Sequence, residues 1–121
     1  MTAQTAVFDA RERASLSAAA AISEELLLSS GRRDDLSAVQ AAASCRPSAA
    51  VLARAGTVLA ALRDRCAAES AADFWLDEMG ATPQVDVAAV AQSLTETRTA
   101  QAHVLGSAAK ACRRVSVALA P

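Results

Sequence analysis

A chain of 121 residues has room for one domain, read here as residues 1–121. It is 53% hydrophobic but only 2% aromatic, alanine makes up about a quarter of it, and four Gly and three Pro exclude a collagen-like, linker-like or hairpin-rich chain. The formal net charge of −1 excludes a surface built to neutralise a phosphate backbone, so no nucleic-acid partner is expected.

The first helical stretch runs from about Thr5 to Ser29. Phe8, Ser15, Ile22 and Ser29 share one face with Ala19 and Leu26, and the run Leu26-Leu27-Leu28 spreads apolar surface around more than half of the helix. The polar cluster Ser29-Ser30-Gly31-Arg32-Arg33-Asp34-Asp35 ends it. Gly31 suits the position after a helix C-cap, and the two aspartates suit the start of the next helix. A short helix is expected from about Asp35 to Ser44.

At Cys45-Arg46-Pro47-Ser48 the proline disfavours helix before it and favours a first helical position. The third helix is therefore expected from about Pro47 to Met79. Val51, Val58, Arg65, Ala72 and Met79 recur every seven residues, interleaved with Ala55, Leu62, Glu69 and Leu76 and flanked by Leu52, Leu59 and Cys66. Met79-Gly80-Ala81-Thr82-Pro83 is the last turn signal, and a fourth helix is expected from about Pro83 to Leu119. Its two series are Val87, Leu94, Gln101, Ala108, Val115 and Val90, Thr97, Val104, Ala111, Ala118, flanked by Ala91, Leu105, Cys112 and Leu119. Interleaved heptad series describe a coiled-coil or bundle seam. No segment alternates with period two long enough to read as a strand. The expected fold is all-α: an up-down helical bundle of three long helices plus one short helix, with coiled-coil-like packing.

The best candidate for a membrane span, Ala14 to Ser23, is far shorter than the roughly 18 residues that one needs. Asp9, Arg11, Glu12 and Arg13 interrupt the place where a secretory leader would have its apolar core. No membrane partner is expected, and the expected location is intracellular and cytoplasmic. Cys45, Cys66 and Cys112 are odd in number, widely spaced and without a CxxC pair, so they read as buried apolar residues and not as a disulfide or zinc framework.

No catalytic constellation is evident. His103, the one histidine, falls in a charged series with Glu96 and Lys110 and reads as a surface residue. The acidic pairs Glu24–Glu25, Asp34–Asp35 and Asp77–Glu78 are adjacent in sequence, so on a helix their side chains point about 100° apart and make no facing dyad. Phosphate-cradling GxGxxG and GxxxxGK[ST] patterns and the GxSxG nucleophile elbow do not occur. Arg113-Arg114-Val115-Ser116 has the form of a short basophilic kinase site, with Ser116 as its acceptor. No cofactor or metal is expected.

Alanine and serine at seam positions bury little area each, so a bundle this poor in large side chains gains from burial against another chain. Phe74 and Trp75 lie off the main series and either cover the first or the short second helix or anchor a partner; with Leu26, Leu27 and Leu28 they concentrate the surplus apolar surface. These five are the candidate partner-binding residues. The cluster Thr95–Gln101 puts polar groups on the fourth-helix seam, which either pair with Arg13, Ser15 or Ser17 or face a wet groove or a partner. The expected function is a non-enzymatic protein–protein interaction module, a subunit of an assembly or a homo-oligomer whose partner is another protein chain or a second copy. The alternatives are a small chaperone-like cofactor that shields a partner and, from a different class, an enzyme or ligand carrier with a site between the helices.

Overall fold

A computed structural model of the chain describes residues 7–44, 46–70 and 87–120. Among them are four helices and no strand: α1 (Ala10–Ser29), α2 (Arg33–Ala42), α3 (Ala49–Ala68) and α4 (Val87–Leu119). The all-α expectation holds, and the helices follow the expected order.

The helix ends have local chemical causes. α1 begins five residues later than expected from Thr5, because Asp9 and Glu12 form a capping box. The Asp9 carboxylate accepts from the Glu12 amide at 2.7 Å, and the Glu12 carboxylate accepts from the Asp9 amide at 3.0 Å. At the other end Gly31 has φ +73°. There the Arg32 amide donates to the Leu27 carbonyl at 3.0 Å and the Gly31 amide to the Leu28 carbonyl at 3.2 Å. That pair of bonds is a Schellman motif, and the expected role of Gly31 is borne out.

α2 opens with Asp34 and Asp35 in its first turn, where their charge complements the helix dipole. Pro47 stands before α3 and is not its first residue, since Ser48 is the N-cap and its hydroxyl accepts from the Val51 amide at 3.2 Å. α3 closes at Ala68, with a turn at Glu69 and Ser70, and the expected continuation to Met79 falls on residues outside those described. The Ser70 hydroxyl bonds the Ala67 carbonyl at 2.6 Å, a side-chain competitor for a main-chain acceptor.

α3 and α4 are antiparallel along their length. Ser116 donates from its hydroxyl to the Ala49 carbonyl at 2.8 Å near one end, while Cys66 and Gln101 lie side by side near the other. Between them the helices approach closely at Gly56, where an added Cβ would lie 3.6 Å from the Ala109 carbonyl oxygen and 3.7 Å from the Cys112 Cβ.

Ala55, Val58, Leu62, Ala108, Ala111 and Val115 of the expected seam are buried, and the buried stripe leans towards the residues that flank it. Leu52, Leu59 and Cys66, read as flanking residues, are fully buried, whereas Val51 is half-buried and Arg65 exposed. In α4, Ala91, Leu105 and Cys112 are buried, whereas Val90 and Thr97 are exposed. This lean sets Leu52 and Leu59 beside Val58 in the centre and leaves Arg65 and Thr97 in water. α1 and α2 cover the pair, contributing Leu16, Ala19, Leu26, Leu27, Leu36 and Val39 to one continuous core. Ser23 is fully buried among them, its hydroxyl satisfied by the Ala19 carbonyl at 2.7 Å.

Candidate functional site: an apolar groove with two arginines

At the end of the bundle where α1 begins and α4 finishes, an open groove of about 730 Å³ separates three stretches of chain. Arg13, Leu16, Ser17 and Ala20 form one wall, at spacings that put all four on one face of α1. The end of α2 and the link to α3 form the second wall, through Ala42, Ala43, Ser44, Arg46 and Pro47. Val115 and Leu119, one helical turn apart on α4, complete it together with Val7 and Phe8. Three alanines stand where larger side chains would have filled the space.

Leu16, Ala42 and Val115 form a buried floor, while Val7 and Leu119 remain 54% and 40% exposed at the rim. Arg13 and Arg46 are exposed lining residues, and no carboxylate is among the described residues that line the groove. Its electrostatic character is cationic and its walls are apolar.

The rim is held by Arg114, whose guanidinium grips the Glu12 carboxylate at 2.8 and 2.6 Å and donates to the Val7 carbonyl at 2.8 Å. This fork ties the capping box of α1 to the last third of α4, across 102 positions of sequence. The Arg114 hydrogen bond holds the Glu12 carboxyl below its usual value of 4.5, against the opposing pull of burial and with help from the Asp9 amide. A carboxylate with a depressed folded-state pKa contributes stability that is complete above the unfolded value near 4.5 and is lost as pH falls through the folded value. Thermal melts of wild type and Glu12→Gln from about pH 7 to about pH 3 should therefore show a gap that closes on the acid side. A gap that stays constant across that range would mean that the Glu12 charge contributes nothing.

The other end of the α3–α4 pair is polar. Arg98 donates to the Gln101 side chain at 2.6 Å and approaches the Glu69 carboxylate at 3.9 Å, and Glu69 also accepts from Arg65 at 3.1 Å. Through Arg98 and Gln101 the Thr95–Gln101 cluster thus meets Cys66 and Glu69 on α3 and its end, rather than the counterparts on α1 that were one of its two readings. Burial raises the pKa of both described thiols, Cys112 to about 11, so neither is a poised nucleophile.

Of the five candidate partner-binding residues, Leu26 and Leu27 lie in the bundle's own core, at 3% and 0% exposure, and are not available to a partner. Leu28 stands 49% exposed. Phe74 and Trp75 fall outside the described residues, as does Cys45. His103 is exposed together with Glu96 and Lys110, as expected. Among the described residues no three His, Cys, Asp or Glu side chains gather to hold a metal ion, and no helix is long and apolar enough to cross a membrane.

Sequence reasoning missed the groove and its Arg114 fork. The local signal for part of it was present: Asp9-x-x-Glu12 is a capping-box spacing that fixes where α1 starts. Comparison with protein-family models, with curated proteins and with solved structures finds no match.

Proposed function

We propose that the chain is a non-enzymatic helical protein–protein interaction module, a subunit of a larger assembly or of a homo-oligomer, and that its docking surface is the groove beside Arg13 and Arg46. The observation that carries this reading is the groove itself: about 730 Å³ of apolar trough, open to water, with leucine and valine exposed at its rim. Helix-lined troughs of this kind take apolar side chains from a partner segment. The reading includes coiled-coil-like packing of α3 on α4 as the rigid support, with three longer helices and the short α2 forming an up-down bundle. It places the protein in the cytoplasm, where the two buried free thiols suit a reducing compartment.

The groove volume also falls within the roughly 300–1,000 Å³ typical of small-molecule sites. That favours a ligand carrier as the second reading, ahead of a chaperone-like cofactor.

Ala20→Glu puts a carboxylate on the groove wall, and His103→Ala serves as a control on the charged face. In size-exclusion chromatography with light scattering, run with and without cell lysate, Ala20→Glu should lose the associations that wild type makes. His103→Ala should keep them, with helicity by circular dichroism unchanged in both. Equal association by Ala20→Glu and wild type would overturn the groove as the docking surface.

A further inference from the structure

The shape of the groove's occupant follows from how its walls are built. Arg13, Leu16, Ser17 and Ala20 share one face of α1, so that wall runs for about 10 Å, two helical turns. That is the length over which an amphipathic helix presents apolar side chains at i, i+4 and i+7. Apolar surface continues from the buried floor out to Val7 and Leu119 at the exposed rim, so the occupant covers an open trough and does not fill a closed tunnel. Two other modes of segment recognition lack their groundwork among the described residues. Strand addition needs a sheet edge, and no described residue is in a strand. A proline-rich segment needs an aromatic-lined groove, and Phe8 is the one aromatic among the described lining residues.

Charge sets the flanks of that helix. Arg13 and Arg46 stand on different walls, and among the described residues neither forms an ion pair. Asp9 and Glu12, the carboxylates nearest to Arg13 in sequence, are committed to the capping box and to Arg114. A cationic surface without counter-charges of its own selects an acidic partner and steers it in. None of the four described helices has an apolar stripe to spare for a second copy, because their apolar faces lie in their own core.

We infer that the groove receives a short amphipathic helix of a different protein, with large apolar side chains at i, i+4 and i+7 and acidic residues on both sides of that stripe. This rests on the groove being the docking surface and names the chemistry of its partner.

Two synthetic peptides test it. Both have about 18 residues, long enough to hold a helix, and share a leucine stripe at i, i+4, i+7 and i+11. One carries glutamate on both flanks of the stripe and the other lysine. With binding to the full chain followed by anisotropy of an N-terminal dye, the glutamate peptide should bind about tenfold more tightly at low salt, as expected for two exposed charge contacts. The ratio should shrink towards one at about 0.5 M salt, where exposed charges are screened. Arg13→Glu/Arg46→Glu should reverse the preference, with helicity by circular dichroism unchanged. A ligand that binds only the folded chain stabilises it, so the glutamate peptide should also raise the melting temperature of wild type and leave that of Ala20→Glu where it is.

Equal binding of the two peptides, or a preference that survives the charge reversal, overturns the inference. So does binding of sodium dodecanoate that depends on Arg13 and Arg46 while neither peptide binds, which would make the groove a site for an anionic amphiphile. If neither peptide binds and Ala20→Glu still removes the associations of wild type, the docking surface stands and only the chemistry of its partner falls. If Ala20→Glu changes nothing either, both fall.

Discussion

Leu62→Ala should destabilise the protein by about 2–5 kcal/mol, the range for deleting a buried leucine from a packed core. Leu62 is 3% exposed on α3, beside the fully buried Leu59 and Cys66. The closely approaching helix backbones at Gly56 leave little freedom to collapse around the cavity. Against a typical domain stability of about 5–15 kcal/mol, such a loss lowers the melting temperature by on the order of 10 °C or unfolds the chain at ambient temperature. The comparison is Val117→Ala, at a position 63% exposed on α4, which should stay within about 0.5 kcal/mol of wild type. Equal melting of the two variants would show that the α3–α4 seam is not where the core lies.

The second large effect separates two neighbours. Leu27→Ala should also cost about 2–5 kcal/mol, because Leu27 has no exposed surface. Leu28→Ala, at 49% exposure, should be near neutral in urea titrations of dilute protein. Similar losses at both positions would mean that α1 is turned differently about its axis.

That pair also marks how far the sequence could be read. Three successive leucines announce a helix end with apolar surface on several sides, but which of them turns inward depends on where α2 returns after Gly31. Gly31 itself was legible, because only a residue free of Cβ takes its left-handed conformation without strain. The all-α class and the order of the helices were legible from periodicity and turn chemistry. The orientation of the seam was legible in part: Ala55, Leu62, Ala108 and Val115 are buried as read, but valine and leucine columns stand side by side in α3 and apolarity alone does not rank them. Side-chain size and the exclusion of Arg65 decide between them.

The end of α3 was hidden for another reason. Ala67, Ala68 and Glu69 are good helix formers, and no glycine or proline marks the turn at Glu69 and Ser70, where the Ser70 hydroxyl bonds the Ala67 carbonyl. The groove was least legible of all. It is a deficit of side-chain volume where three distant stretches meet, and no local pattern encodes a deficit. The Arg114–Glu12 fork is likewise a tertiary contact, whose two halves each read as ordinary surface charge.

The fork has a practical consequence for anyone handling the protein. Val7 and Leu119 both line the groove, and Arg114 bonds the Val7 carbonyl, so the first and last described segments emerge side by side on the same rim. An affinity tag, fluorescent fusion or immobilisation linker joined close to Val7 or Leu119 starts beside the proposed docking groove and should compete with an occupant. A handle inserted at the exposed turn around Gly31, where no atom approaches within 4 Å of an added Cβ, draws on surface that the groove does not use.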